Sequence, residues 1–399
     1  MFRSRWTIIL AALAAVAAGS VSACAAGDAD SSDTIKVGFI APLSSGPRAF
    51  QDPALAAEVA EKAVNDQGGI NGKKLDVVVY DTKGQPANVI AGARKLVEQD
   101  KVVAFIGGNS NDGLAEIGAK AGVVNWFPMG CAAADVDNEL SMIAALNCAG
   151  AAQGTYLGGL RFRPKKAVYV AFAGNTPYIE NAKLGYRNAG VEDVQIVEVP
   201  PETTDYAPII AQVKAAKPDV WGGMIFTPEK LTALLRAAVD QNLRIPLVLS
   251  NNVMEDATIQ LVSDSGIPNS VALEKGEDPN RFPTWKEYED QLAKYDPEGR
   301  IKTPHDGSVT TDWLAVWTFA QEARKLTDVT ADTFREHTRN LRDFRTDVLH
   351  DIDFTIADGP VPTAPRQANL WAFPGHIADG RIIVDAPTPF SAFQKTPIG

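Results

Sequence analysis

Residues 35–81 read IKVGFIAPLSSGPRAFQDPALAAEVAEKAVNDQGGINGKKLDVVVYD, and the order of elements in this stretch decides the fold. The apolar run 35–40 predicts a strand. A Pro/Gly/Ser turn follows, and then Leu55, Val59 and Ala63 recur at helical spacing. GGING at 68–72 stops that helix, and 75–80 reads as a second strand. Strand, loop, helix and strand in this order make a right-handed βαβ unit whose loop lies at the carboxyl end of the first strand, where open α/β sheets bind ligands.

The alternation continues outward from this unit. Helix 86–99, strand 102–106, helix 114–121 and strand 123–127 follow, which predicts a parallel sheet with helices on both faces. A second array of the same kind is expected from about residue 150. It has strands at 167–172, 194–199, 220–226 and 245–249 and helices ending near 189 and spanning 229–241. Residues 251–257 are expected to lead back to the first array. Helical spacing resumes at 282–295 and 310–326, where Trp313, Val316, Trp317 and Phe319 share an apolar face read as core. Residues 368–373 and 382–384, around Asp379-Gly380, read as a hairpin.

A chain of 399 residues exceeds the roughly 250–300 beyond which single cores divide, so two domains are expected. Its 45% hydrophobic and 22% charged residues are those of a globular protein. A net charge of −11 makes nucleic acid and anionic membrane surfaces poor partners. Arg3 and Arg5, an apolar run at 6–18 and the small residues before Cys24 form a secretory signal too short to span a bilayer. Cys131 and Cys148 remain. In an exported protein an isolated pair favours a disulfide, whose loop of about 18 residues would contribute on the order of 3 kcal/mol. Two buried free thiols are the alternative. Four scattered histidines lack metal-site spacing, and neither a G-x-S-x-G elbow nor a GxxxxGK[ST] loop is present. No metal, cofactor or catalytic residue is therefore expected.

Several motifs occur in register: V-G-x-I-x-P-L-S-x-G-P from Val37, A-x-x-A-x-N-x-x-G-G-I-N-G-x-K-L from Ala60, and V-V-x-Y-D-T from Val77. Together they resemble the opening of the type I periplasmic binding proteins of the leucine/isoleucine/valine-binding kind. Thr203 to Tyr206 and Lys217-Pro218-Asp219 resemble that family's second-lobe signature. The resemblance implies an α/β protein with two Rossmann-like lobes joined by a three-stranded hinge, the first lobe formed by 34–149 and 252–366 and the second by 150–251 and 367–399. It implies a monomeric, non-enzymatic solute-binding protein that hands a small polar or amphipathic ligand, branched-chain amino acid-like or an aromatic or organic acid, to an ABC permease. A ligand-sensing receptor without a transport role is the alternative. VSAC at 21–24 is similar to a bacterial lipobox, which implies removal of 1–23, lipidation of Cys24 and a tether at 24–33. An ordinary signal peptide cut near Ala23 or Ala26 is the alternative.

Carried onto this sequence, the family's ligand contacts from the first lobe are Phe50, then Asn109, Ser110 and Asn111 after strand three, then Cys131, Ala132, Ala133 and Ala134 after strand four. From the second lobe they are Tyr178, Phe226 and Asn251. Two departures bear on the ligand. The loop after strand four is CAAAD, and Ser250-Asn251-Asn252 stands where an acid would meet an ammonium. A buried ammonium without a carboxylate costs several kcal/mol. Either Glu255 or Asp135 substitutes, or the ligand has an acceptor-rich head without an ammonium and an apolar body resting on Phe50, with Tyr178 closing from the other lobe.

Overall fold

The opening stretch forms β1 (Thr34–Ala41), α1 (Gln51–Asp66) and β2 (Lys74–Asp81), and β1 runs parallel to β2 in register from Thr34↔Lys74 to Ala41↔Asp81. The computed structural model describes residues 33–44, 51–109, 111–147, 149–224, 227–250 and 254–398. From Thr34 onward the chain is one unit. The side chain of Asn65 explains its place in the motif: it donates to the Leu75 carbonyl and accepts from the Leu75 N–H, both at 2.8 Å, so the end of α1 starts β2. Gly69 has φ +71°, and a Cβ there would lie 2.0 Å from the Lys73 carbonyl oxygen. The buried face of α1 runs through Ala56, Val59, Ala60, Ala63 and Val64, while Leu55 is only half-buried.

The chain continues through α2 (Pro86–Glu98), β3 (Ala104–Ile106), α3 (Asp112–Ala121), β4 (Val124–Trp126), α4 (Ala133–Val136) and β5 (Ser141–Met142). The first sheet is five-stranded with order β2-β1-β3-β4-β5, all pairs parallel. Trp126 anchors its core: its indole N–H donates to Thr318 Oγ1 at 3.2 Å, and its ring lies 5.4–5.6 Å from those of Phe334, Phe344 and Phe354.

The second array comprises α5 (Ala149–Phe162), β6 (Lys166–Phe172), α6 (Thr176–Asn188), β7 (Asp193–Val199), α7 (Ala207–Ala216), β8 (Val220–Met224), α8 (Pro228–Asp240), β9 (Leu247–Ser250), α9 (Asp256–Ser265) and β10 (Asn269–Leu273). Its core shows the alternation of a doubly covered strand: Val168, Val170 and Phe172 face one apolar cluster, Ala167, Tyr169 and Ala171 the other. Next come α10 (Pro283–Tyr295), α11 (Gly307–Ala323) and α12 (Ala331–Arg339), and then β11 (Phe373–Ala378) and β12 (Arg381–Val384). Helices α10 and α11 pack on α1 and so join the first lobe. Trp313, Val316, Trp317 and Phe319 of α11 are buried, as their spacing predicts.

Two expectations are corrected. The return to the first lobe does not occur at 251–257. Helix α9 packs on α8, β11 and β12, and β10 pairs in parallel with β9 and antiparallel with β11. Residues 256–273 therefore sit with the second sheet, whose seven strands run β12-β11-β10-β9-β8-β6-β7, rather than with the first as 252–366 was expected to. The hairpin also starts later than 368. Ala368 and Asn369 donate to the Ile143 carbonyl of the first lobe at 3.2 and 3.3 Å, so this apolar run is buried as a connecting segment, and the paired strand starts at Phe373.

Candidate functional site

At the carboxyl edge of the first sheet, side chains as well as backbone partners hold the loops. Asp81 Oδ1 accepts from the N–H of Leu43 at 2.9 Å, Ser44 at 3.3 Å and Lys83 at 2.8 Å. Hydrogen bonds from the Ser44 side chain and from these amides keep its carboxyl below the ordinary value. After β3 the chain turns through Gly107 and Gly108, with φ of +54° and +68°. Asp312 of α11 lies beneath this turn and accepts the Gly108 N–H at 2.9 Å. A Cβ at Gly107 would fall 2.0 Å from its Oδ1.

Asn109 forms a parallel bridge with Met129, whose N–H donates to the Gly108 carbonyl at 3.0 Å. The loops after β3 and β4 thus lie side by side. Asp112 joins them again one turn on, accepting the Ala134 N–H at 2.9 Å. Phe127, at φ +60°, turns the chain out of β4 through a conformation that bulky residues rarely adopt. Asn147 fastens the next turn, accepting the Gly130 N–H at 2.9 Å and donating to the Pro128 carbonyl at 3.0 Å.

Of the expected contacts, Asn109 is exposed, and Cys131, Ala132 and Ala133 follow in the adjoining loop, Ala132 as the N-cap residue of α4. Asn111 is placed differently. Its side chain accepts the Gly113 N–H at 2.9 Å as the N-cap of α3, which engages that oxygen with its own helix. Tyr178, in the first turn of α6, is 7% exposed and belongs to an apolar cluster with Tyr169, Ile179, Ala182 and Tyr186, against which Cys131 packs from the first lobe. Burial pushes its hydroxyl up to about 12. It is a packed residue as well as a candidate contact, so its truncation would also cost stability. Cys24, Phe50, Ser110, Cys148, Phe226 and Asn251 lie outside the described residues.

Both acids considered as ammonium partners are engaged elsewhere. Asp135 Oδ1 accepts from Asn125 Nδ2 at 2.8 Å and Ser141 Oγ at 2.6 Å inside the first sheet. Glu255 Oε1 accepts from Thr232 Oγ1 of α8 at 2.8 Å. Sequence reasoning missed Asp112, Asn147 and Asp312. Asp312 carried the clearest signal, an acid inside the apolar run of α11. A groove of about 900 Å³ also runs along one flank, between Asp256 and Gln260 of α9, the β11–β12 hairpin, Trp285 of α10 and His305, away from these loops. Among the described residues, no three His, Cys, Asp or Glu side chains form a metal site, and no helix is long and apolar enough to cross a membrane.

A family model described as periplasmic binding protein matches residues 34–368. The chain belongs to this family. Within it the chain is a type I member of the leucine/isoleucine/valine-binding group. It is 26% identical over 279 residues to a Leu/Ile/Val-binding protein homolog of Brucella abortus, covering 66% of this chain and 73% of that one. It is 24% identical over 258 residues to an amino acid binding protein of Pseudomonas aeruginosa, covering 61% and 67%. Its fold is similar to that of a fatty acid ABC transporter substrate-binding protein from Thermomonospora curvata, with TM-score 0.70 at 16% identity over 92% and 95% of the chains. It is also similar to a leucine binding protein from Thermotoga maritima, with TM-score 0.65 at 14% identity over 88% and 98%. This is a family of binding proteins that act outside the cytoplasm, and the chain is a solute-binding protein.

In this binding protein the loop after β3 rests on a carboxyl in an unfavourable medium. Asp312 is fully buried, and desolvation pushes it up to about 8 despite the Gly108 bond and the nearby Lys275. The folded chain therefore holds a proton that the unfolded chain releases near the ordinary value of 3.8. Its stabilising effect is complete at low pH and is lost as pH rises toward 8. Asp312→Asn keeps an acceptor for Gly108 without a charge to release. Urea unfolding between about pH 5 and pH 8 should show a shallower decline for the variant than for the wild type. Equal slopes would mean that Asp312 is already ionised at neutral pH.

Proposed function

We propose that the chain captures a small ligand with an acceptor-rich head and an apolar body, and delivers it to an ABC importer by closing two lobes around it. The observation that carries the ligand class is the edge formed by the loops after β3 and β4. They are fastened by the Asn109–Met129 bridge and the Asp112–Ala134 bond, while Asp135 and Glu255 are both engaged away from it. Rigid loops present backbone donors reproducibly, which suits a carboxylate or similar head. Phe50 and Tyr178 supply the aromatic contacts in this reading, and Phe226 and Asn251 are further contacts implied by the family resemblance. Contacts to both lobes stabilise the closed state that a permease recognises.

A thermal-shift library followed by calorimetry tests this. Carboxylic acids with apolar bodies should bind, and 4-methylpentanoate should bind at least ~10-fold more tightly than leucine, which adds an ammonium needing a partner. Tighter binding of leucine would overturn the ligand class and leave the solute-binding role intact.

We also propose that residues 1–23 are removed, that Cys24 carries lipid, and that 24–33 tether the protein to the outer face of the membrane as a monomer. Labelled palmitate should enter the wild type and not Cys24→Ser, and equal labelling would reject the anchor. A disulfide between Cys131 and Cys148 is supported by their neighbours in sequence, since Asn147 grips Gly130 and Pro128. Mass spectrometry of unreduced peptides should recover the cross-linked pair; two freely alkylated thiols would rule it out.

A further inference from the structure

The chain passes between the lobes three times, before α5, between β10 and α10, and between α12 and β11. These passages are bonded to one another. Gln367 Nε2 donates to the Ala145 carbonyl at 2.8 Å, and the Gly276 N–H donates to the Val348 carbonyl at 3.1 Å. Glu274 and Lys275, at the start of the second passage, are 5% and 1% exposed.

Glu274 Oε2 accepts the Leu146 N–H of the first passage at 2.8 Å. Its Oε1 meets Lys275 Nζ at 2.9 Å and Thr311 Oγ1 at 2.8 Å. Lys275 Nζ donates to Thr311 Oγ1 at 2.8 Å and to the Gly307 carbonyl at 3.3 Å. The next residue of α11, Asp312, holds the Gly108 N–H. The first turns of α11 therefore grip the second passage directly and the first through Glu274, and hold the loop carrying Asn109 through Asp312.

A buried ion pair is a poor source of net stability, because apolar residues of the same volume often serve equally well. Its hydrogen bonds have directions, however, which apolar contacts lack. We propose that Glu274, Lys275 and Thr311 are positioning residues that fix the direction and range of lobe movement, and that Asp312 carries the same constraint to the loop at the ligand site. The second half rests on the proposed ligand site; the first concerns the hinge alone.

The two halves are tested separately. Spin labels on keto-functional side chains at exposed Lys120 and Glu192, which avoid the cysteines, report the distance between lobes in the ligand-free full chain. The wild type should give a narrow distribution. Thr311→Val, which leaves the ion pair intact, and the double variant Glu274→Met with Lys275→Met, which removes both charges together, should each broaden or displace it by several ångströms while retaining a cooperative melt. Wild-type distributions in both folded variants would reduce the cluster to ordinary core and overturn the proposal. For the loop, hydrogen exchange at the Gly108 amide should accelerate about tenfold in Asp312→Leu, the scale of one lost hydrogen bond, and be restored in Asp312→Asn. Unchanged exchange in Asp312→Leu would reject that half and leave the hinge result standing.

Discussion

A single carboxyl oxygen beneath a backbone turn sets the geometry of the first lobe's binding edge. Asp312 is buried on α11 and accepts the Gly108 N–H, which would have no ladder partner at the end of β3. Glycine at 107 follows from this, since a side chain there would collide with the carboxyl. The Gly108 carbonyl then faces outward to accept from Met129, Asn109 pairs with Met129, and the turn after β4 is carried along to Asn147 and the first interlobe passage. Each bond restrains the next, so the loops inherit the rigidity of a buried helix although they lie at the surface.

The same economy appears between the lobes. Backbone bonds from Ala368 and Asn369 to Ile143 stitch the third passage to the first, and the rings of Phe282 and Phe373 meet edge-on at 5.4 Å where the second passage enters α10. Apolar packing resists separation of the lobes but tolerates sliding. Directional bonds at Glu274 and Lys275 resist sliding. A hinge with both kinds of contact can bend along one path without becoming loose along others.

The sequence made the repeated βα pattern legible because each strand is a short apolar run and each connection carries a turn or cap. It was less informative where burial and polarity part company. Strand β10 is only five residues, NSVAL, and runs directly into Glu274 and Lys275, a charged pair that the structure buries. Residues 368–372 have the opposite character: their largely apolar run looks like a strand, and it is instead a mostly buried connection bonded to Ile143. At the site, the Asn-Ser-Asn-Asp run after β3 was visible as a polar loop tip. The division of labour within it was not. Asn111 caps its helix and Asp112 bonds Ala134, and such roles depend on distances of a few tenths of an ångström that spacing alone does not encode.

Asp112 also bears on the charge balance at the proposed ligand. One of its oxygens is held by Ala134, and it stands in the first turn of α3, where the positive end of the helix dipole favours a carboxylate. An acid stabilised by its own helix and by a backbone amide has less to gain from a ligand ammonium than a free carboxylate would. Asp135 and Glu255 are spent in the same way on hydroxyl and amide donors. The acids named here, Asp81, Asp112, Asp135 and Glu255, thus accept from the backbone and side chains of the protein itself. That engagement of the nearby acids, rather than the shape of the fold, is why an acceptor-headed ligand is proposed over one with an ammonium.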